Sequence, residues 1–299
     1  MRVERAKPSE TLGVTPLDHL TGRAPAKINL ALHVTGKRAD GYHLLDSLVV
    51  FADVWDSLAV SRSRTPGIAL SVDGPFAEGV PTGPANLIWR AAQAVGLPED
   101  GGVAVHLTKR LPHAAGIGGG SADAAAMLRL MASLCDRPLP DPAAVLALGA
   151  DVPVCLHGCA VRMGGIGDTL TEVPDLPPIW AVLVNPGVAV PTGAVFARLA
   201  DPERPPLPAL PDTWADAETL LAWLARTRND LQEPARAECR PIGRVLQTLG
   251  AAVGCRLARM SGSGATCFGL FTDPDAARHA ARTIAEAEPA WWVVPARLS

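Results

Sequence analysis

At 299 residues, with 48% hydrophobic residues and a net charge of −3, the chain is long enough for one large or two medium domains with substantial cores. Its arginines are scattered rather than clustered, which argues against a nucleic-acid or membrane surface. No run of about 18 apolar residues occurs and the start lacks a basic-then-apolar leader, so a soluble, cytoplasmic protein is expected.

Residues 1–22 show no clear periodicity and are expected to form a loosely ordered extension. From Ala26 to Val34, Ile28, Leu30, Leu32 and Val34 alternate with Lys27, Asn29, Ala31 and His33, which predicts a half-buried strand. Lys27 and Asn29 then share the face turned away from the core. There they could hold a substrate hydroxyl and a transferring phosphate, or form an ordinary solvated face. Asp40-Gly41 supplies a turn, followed by Tyr42, the single tyrosine, and His43. A ring beside an imidazole can stack on and hydrogen-bond a planar base; the plainer reading is a hairpin anchored by its tyrosine. Leu44–Val60 reads as further strand, Asn86–Val95 as helix and Gly102–Leu107 as strand.

Residues 111–131 carry the strongest signal. Gly116, Gly118, Gly119 and Gly120 run into Ser121 and an alanine-rich helix over Ser121–Leu134. Glycines let backbone N–H groups converge, and the helix start adds its positive end, which together make an anion cradle. The plainer reading is a turn with Ser121 as N-cap and Asp123 complementing the dipole. No lysine follows Gly120, which excludes the P-loop, and Ser121 stands where a dinucleotide fingerprint needs its third glycine.

Pro142–Leu148 predicts a short helix ending at Gly149. Asp151, between that end and Pro153, is a cap or turn former, unless a partner cation makes it catalytic, for which Lys27 is the natural candidate. The Pro-rich stretch near Val173–Pro178 reads as a boundary. Beyond it the pattern gives strand Trp180–Val184, helix Thr192–Leu199, a loop over Asp201–Pro211, and helices Trp214–Thr227 and Pro234–Leu249. Strand Cys255–Ala258, the loop Ser261-Gly-Ser-Gly-Ala265, strand Thr266–Phe271, helix Pro274–Ala287 and strand Trp291–Val294 close the chain. The interleaving of strands and helices with hairpin-like pairs predicts an α+β or mixed α/β class. The six cysteines contain no C-x-x-C pair and read as reduced core thiols, so no metal ligand is assigned.

Taken in order, several segments resemble the GHMP small-molecule kinases. They are Pro25-Ala-Lys-Ile-Asn-Leu30 with Thr35–Leu44, Leu111–Ala125, Gly149-Ala-Asp-Val-Pro153, Pro191-Thr192 with Phe196, Asn229-Asp-Leu231 and Met260–Ala265. The likeness spans roughly residues 23–272, and the Ala-Asp-Gly-Tyr-His run narrows it to a member acting on a cytidine diphosphate alcohol. Two departures are mild: Ile117 stands for leucine, and Gln232 for glutamate.

The resemblance implies a two-domain fold, with a ribosomal-protein-S5-like N-terminal domain over 23–173 and a ferredoxin-like C-terminal domain over 174–299. It implies transfer of the ATP γ-phosphoryl, with Mg²⁺, to the 2-hydroxyl of an erythritol moiety in the non-mevalonate isoprenoid pathway. Pro112, Gly116, Gly118, Gly119, Gly120 and Ser121 would surround the ATP phosphates, and Lys27 and Asp151 would be the catalytic pair. Asn29 and His43 would contact the substrate, Tyr42 and Phe196 would stack on its base, and Thr192, Gly262 and Gly264 would line the same cleft. Partners would be these small molecules, without nucleic acid or membrane, in a monomer or weak homodimer. A homoserine- or mevalonate-type kinase is disfavoured by Tyr42-His43. A silent nucleotide-sensing member is disfavoured by the presence of both Lys27 and Asp151.

Overall fold

A computed structural model describes residues 19–299; residues 1–18 of the expected extension lie outside them. β1 (His19–Lys37) and β2 (His43–Ser63) form a long antiparallel pair. Residues 19–22 already pair with 58–61, so the strand reaches four residues into the segment expected to be loose. Leu20 anchors it by packing against the first core.

The centre of β1 is buried on both faces rather than one. Ile28, Asn29 and Leu30 are 0% exposed and Lys27 only 3%, so the solvated face that alternation suggests does not exist. Three distant segments cover the edge of β1 that β2 leaves free. The Lys27 N–H donates to the Ile117 carbonyl (2.9 Å), the Asn29 N–H to Ser261 Oγ (3.1 Å), and the Leu32 N–H to the Arg228 carbonyl (2.9 Å).

β2 also pairs with β4 (Gly102–Thr108), on which β3 (Gly67–Asp73) lies parallel. A parallel pair needs a crossover, which α1 (Leu87–Val95), capped by Asn86, supplies. α2 (Gly119–Cys135) crosses the same sheet, and its buried alanines at 122 and 124–126 let it lie close. Its N-cap is Gly118 rather than Ser121, so two of the glycines belong to the helix. α3 (Pro142–Leu148), α4 (Val152–His157) and the hairpin of β5 (Val161–Gly165) and β6 (Thr169–Glu172) complete this half. Sequence periodicity missed β3, α4, β5 and β6, all short.

In the second half β7 (Ile179–Asn185) is central, α5 (Thr192–Ala197) and α6 (Ala217–Leu224) follow, and Asp201–Pro211 carries no regular element. The helix expected over Pro234–Leu249 is two: α7 (Gln232–Glu238) and α8 (Pro241–Ala251). Pro241 lacks the N–H that would continue the ladder and instead opens α8. β8 (Leu257–Met260), β9 (Cys267–Phe271), α9 (Pro274–Ala287) and β10 (Trp292–Leu298) finish the chain, in sheet order β10-β7-β9-β8. Phe51 and Ser299 exchange backbone hydrogen bonds of 2.8 and 2.9 Å, which joins the sheets of the two halves. The result is an α+β, two-domain fold. Among the described residues no helix is long and apolar enough to cross a membrane.

Candidate active site

A cavity of about 1300 Å³ opens between the two halves, its walls drawn from β1, the turn before β2, the glycine loop, the start of α4, α5 and the Ser261–Ala265 loop. The Lys27 ammonium and the Asp151 carboxylate meet there at 2.8 Å. The lysine side chain is 4% exposed and the aspartate 35%, so the cation is fixed while one carboxylate oxygen remains accessible. Asp151 stands at the N-cap of α4 yet makes no capping bond with its side chain. Its carboxylate is turned to Lys27, which removes the plainer reading of a cap.

Asn29 lies two residues along the same strand. Its Nδ2 donates to Ser47 Oγ (2.7 Å), and that hydroxyl donates onward to the Ala31 carbonyl (2.6 Å). Asn29 Oδ1 is buried without a partner, in a residue that lines the cavity. A buried acceptor in that condition suits a donor supplied by a ligand hydroxyl.

The glycine loop splits into two functions. Gly116, at φ +72°, is packed against the Ser261–Ala265 loop: a Cβ there would lie 2.4 Å from the Ser261 carbonyl oxygen. Gly262 returns the contact, since its Cβ would lie 2.7 Å from the Gly116 carbonyl oxygen. Gly118, at φ +63°, passes Lys27 so closely that a Cβ would stand 3.3 Å from the Lys27 Cβ. The first intrahelical bond of α2 is donated by the Ala122 N–H (2.8 Å), so the amides of Gly119, Gly120 and Ser121 are unused within the helix. With Gly118 and Pro112 they line the cavity, where α2 directs the positive end of its dipole.

At the other end, Tyr42 is 58% exposed, and His43 stacks on Phe196 with ring centroids 4.8 Å apart. Phe196 therefore takes His43 as its stacking partner rather than facing Tyr42 across an open slot. Burial, then the Lys37 charge, holds the His43 imidazole below its ordinary pKa and hence neutral at pH 7. Thr192 Oγ1 lies 2.8 Å from Ser263 Oγ on the adjoining wall. Gly264 is a correction: it does not line the cavity. Its N–H closes a turn on the Ser261 carbonyl (3.0 Å), and a Cβ would strike Met260 Sδ at 2.7 Å.

Two supports have roles that the sequence did not assign. Asn229 Nδ2 donates to the carbonyls of Met260 and Gly262, both at 2.8 Å, and so pins the second loop; Gln232 Oε1 accepts the Met260 N–H (3.0 Å), which involves no ion pair. Beneath the glycine loop, Lys109 bonds both Asp56 and Asp123, and all three are buried. Burial pushes the Asp123 carboxyl up to about 7, opposed by Lys109 and reinforced by Asp56. The available signal was a charge inside an apolar run, twice: Asp56 within Val54–Leu58 and Asp123 among alanines. Among the described residues no three His, Cys, Asp or Glu side chains are grouped to hold a metal ion.

Comparison with known proteins places this geometry in a family. The GHMP kinases N terminal domain matches residues 86–170 and the GHMP kinases C terminal domain matches 208–290. A 4-diphosphocytidyl-2-C-methyl-D-erythritol kinase of Dinoroseobacter shibae is 57% identical over 92% of this chain and 94% of its own. The protein so named in Jannaschia sp. is 56% identical over 91% and 95%. A crystal structure of 4-(cytidine 5'-diphospho)-2C-methyl-D-erythritol kinase, 36% identical, superposes with a TM-score of 0.75 over 94% of this chain and 99% of that one. A Leishmania major mevalonate kinase, at 17% identity and a TM-score of 0.65, shares the fold alone. The chain belongs to the GHMP kinase family, among its 4-diphosphocytidyl-2-C-methyl-D-erythritol kinases.

Proposed function

We propose that this protein transfers the γ-phosphoryl group of ATP to the 2-hydroxyl of 4-diphosphocytidyl-2-C-methyl-D-erythritol, within the cavity between its halves. The observation that carries the reading is the 2.8 Å Lys27–Asp151 pair beside the start of α2. In this reading residues 23–173 bind the nucleotide and residues 174–299 close the cleft. The amides of Gly119, Gly120 and Ser121 bind the phosphates as fixed dipoles.

Phosphoryl transfer passes through a loose transition state, so alignment and charge neutralisation carry most of the catalysis. Lys27 supplies positive charge where the phosphoryl oxygens gather it. Asp151, with Oδ2 held by Lys27, accepts the hydroxyl proton on Oδ1 as the new O–P bond forms and the bond to ADP breaks. The Lys27 ammonium, 2.8 Å from Oδ2, fixes the direction of that carboxylate. Asn29 Oδ1 accepts from a substrate hydroxyl, and His43, Tyr42 and Phe196 hold the cytosine. Mg²⁺ bound with ATP would supply further neutralisation of phosphate charge. The ion would be held mainly by phosphates and water, with the Ser121 hydroxyl as a protein ligand.

Asp151→Asn should lower kcat about 10²–10⁴-fold while ATP binding is retained. A near-normal kcat in that variant removes Asp151 from the role of base. A panel of the cytidine diphosphate alcohol, homoserine and mevalonate tests the acceptor, and equal turnover of all three overturns the substrate assignment.

A further inference from the structure

The strongest group of charges not used above is the buried set Asp56–Lys109–Asp123. Asp56 is 0% exposed on β2, and its Oδ1 accepts the N–H groups of Arg110 (2.5 Å) and Leu111 (2.9 Å), where the chain enters the glycine loop. Its Oδ2 accepts from Lys109 Nζ, and the same ammonium donates to Asp123 Oδ2 at 2.7 Å, in α2 where the chain leaves the loop. Both ends of the loop are thus tied to one carboxylate on a central strand. The ammonium sits against the loop itself: a Cβ on Gly119 would lie 3.2 Å from Nζ.

We propose that Lys109, bridging Asp56 and Asp123, is a positioning residue that holds the start of α2 in its ATP-binding form, so that Asp123, buried at the cavity wall, sets nucleotide affinity through its bond to Lys109. This rests on the reading of the α2 amides as the phosphate site. A packing role alone gives no reason for three ionisable groups here, because buried ion sets are commonly replaceable by apolar side chains without loss of stability. What the set provides is direction. Lys109 can donate along only a few vectors; one reaches Asp56, whose other oxygen holds residues 110–111, and one reaches Asp123, so the two ends of the loop are fixed relative to each other. Asp123 Oδ1 is buried with no partner, so a single oxygen of that carboxylate makes the tie. The charge of Asp123 adds nothing favourable to an anion site. Its place is explained by the bond to Lys109.

The test compares Asp123→Leu with Asp123→Asn. Leucine keeps the branching and heavy-atom count, with bulkier methyls, but removes the acceptor, and leaves Lys109 and Asp56 as a balanced pair. Asparagine retains an oxygen for Lys109. Loss of one charged hydrogen bond predicts a rise of about tenfold in the ATP Kd and KM for Asp123→Leu. Its kcat at saturating ATP and its KM for the cytidine substrate should stay within about twofold of wild type, as expected for a change in nucleotide affinity alone. Asp123→Asn should bind ATP nearly as the wild type does, and amide exchange over residues 112–122 should quicken in the leucine variant only. If Asp123→Leu does not fold, Asp123→Ala carries the same comparison. Wild-type protein that fails to bind ATP sinks the phosphate-site reading. Wild-type binding matched by Asp123→Leu overturns the brace alone.

Discussion

Gly116→Ala separates the structural from the ligand-binding use of the glycine loop. At φ +72° a side chain forces a left-handed backbone, at about 1–2 kcal/mol. The added Cβ would also meet the Ser261 oxygen at 2.4 Å, the Gly264 nitrogen at 2.7 Å and the Gly264 oxygen at 2.9 Å. All three are backbone atoms, so none can rotate aside, and overpacking of this kind costs about 1–3 kcal/mol. The sum, about 2–5 kcal/mol, is a large share of a typical domain stability. Movement of the second loop would also disturb the bonds from Ser261 Oγ to the Gly116 carbonyl and from the Thr266 N–H to the Ala115 carbonyl, both 3.0 Å. Gly120→Ala is the contrast. Its Cβ would meet only Leu87 Cδ1, at 3.9 Å, within a helix where alanine gains about 0.5–1 kcal/mol over glycine. Urea unfolding of both variants, with ATP KM measured alongside, gives the answer. Gly116→Ala should lose stability, and Gly120→Ala should keep or gain it while ATP KM rises. Unchanged stability in Gly116→Ala would refute the loop-against-loop packing, and an unchanged ATP KM in Gly120→Ala would refute close phosphate approach.

Tyr42→Ala removes an exposed ring, so the melting temperature should barely move, while the KM for the cytidine substrate rises about tenfold from lost base stacking. An equal rise in ATP KM would deny the ring its place on the cytosine. Asp123 predicts a pH effect on stability. Its folded pKa of about 7 lies above the unfolded value near 4, so between these the folded state holds the extra proton. This contribution is full at low pH and fades as pH rises through 7. Guanidinium unfolding of wild type against Asp123→Asn at pH 5.5 and 8.5 should show the wild type losing about 2 kcal/mol more on going to the higher pH, and parallel curves would contradict it.

Which features the sequence disclosed follows from how far each one's cause lies along the chain. Helices α3 and α9 are local objects that begin at Pro142 and Pro274 as expected, each with an aspartate cap, Asp141 or Asp273, just before the proline. The break between α7 and α8 is also local, since Pro241 marks it, but an apolar pattern running across the break hides it. Burial of Lys27 is not local. Periodicity reports which way a strand residue points and is silent on what covers that side, here segments around Ile117, Ser261 and Arg228. The pairing of Lys27 with Asp151 was legible as a match of charges and through the order of motifs, not through any spacing. Lys109 escaped because its meaning lies in two carboxylates, on β2 and α2, that no spacing brings together.

These cases meet on one edge of β1. A strand presents outward N–H groups at a fixed spacing of about 6.8 Å every second residue. Here those of Lys27 and Asn29 are taken by the glycine loop and the Ser261–Ala265 loop in turn. Each loop is therefore placed by a bond from the residue whose side chain faces the cavity beside it. Lys27 binds the loop that would hold the phosphates with its backbone and Asp151 with its side chain, so the distance between donor and base is set within one residue. Asn29 does the same for the second loop and, through Ser47, fixes its own amide. A site assembled from both halves is thus held in register by one strand edge, which itself lies over a core that the halves share, from Ile28 and Ile117 to Leu183 and Phe268. The loops depend on that edge more than it depends on them, which is why the close-approach glycines lie on the loops and the charged and amide side chains on the strand.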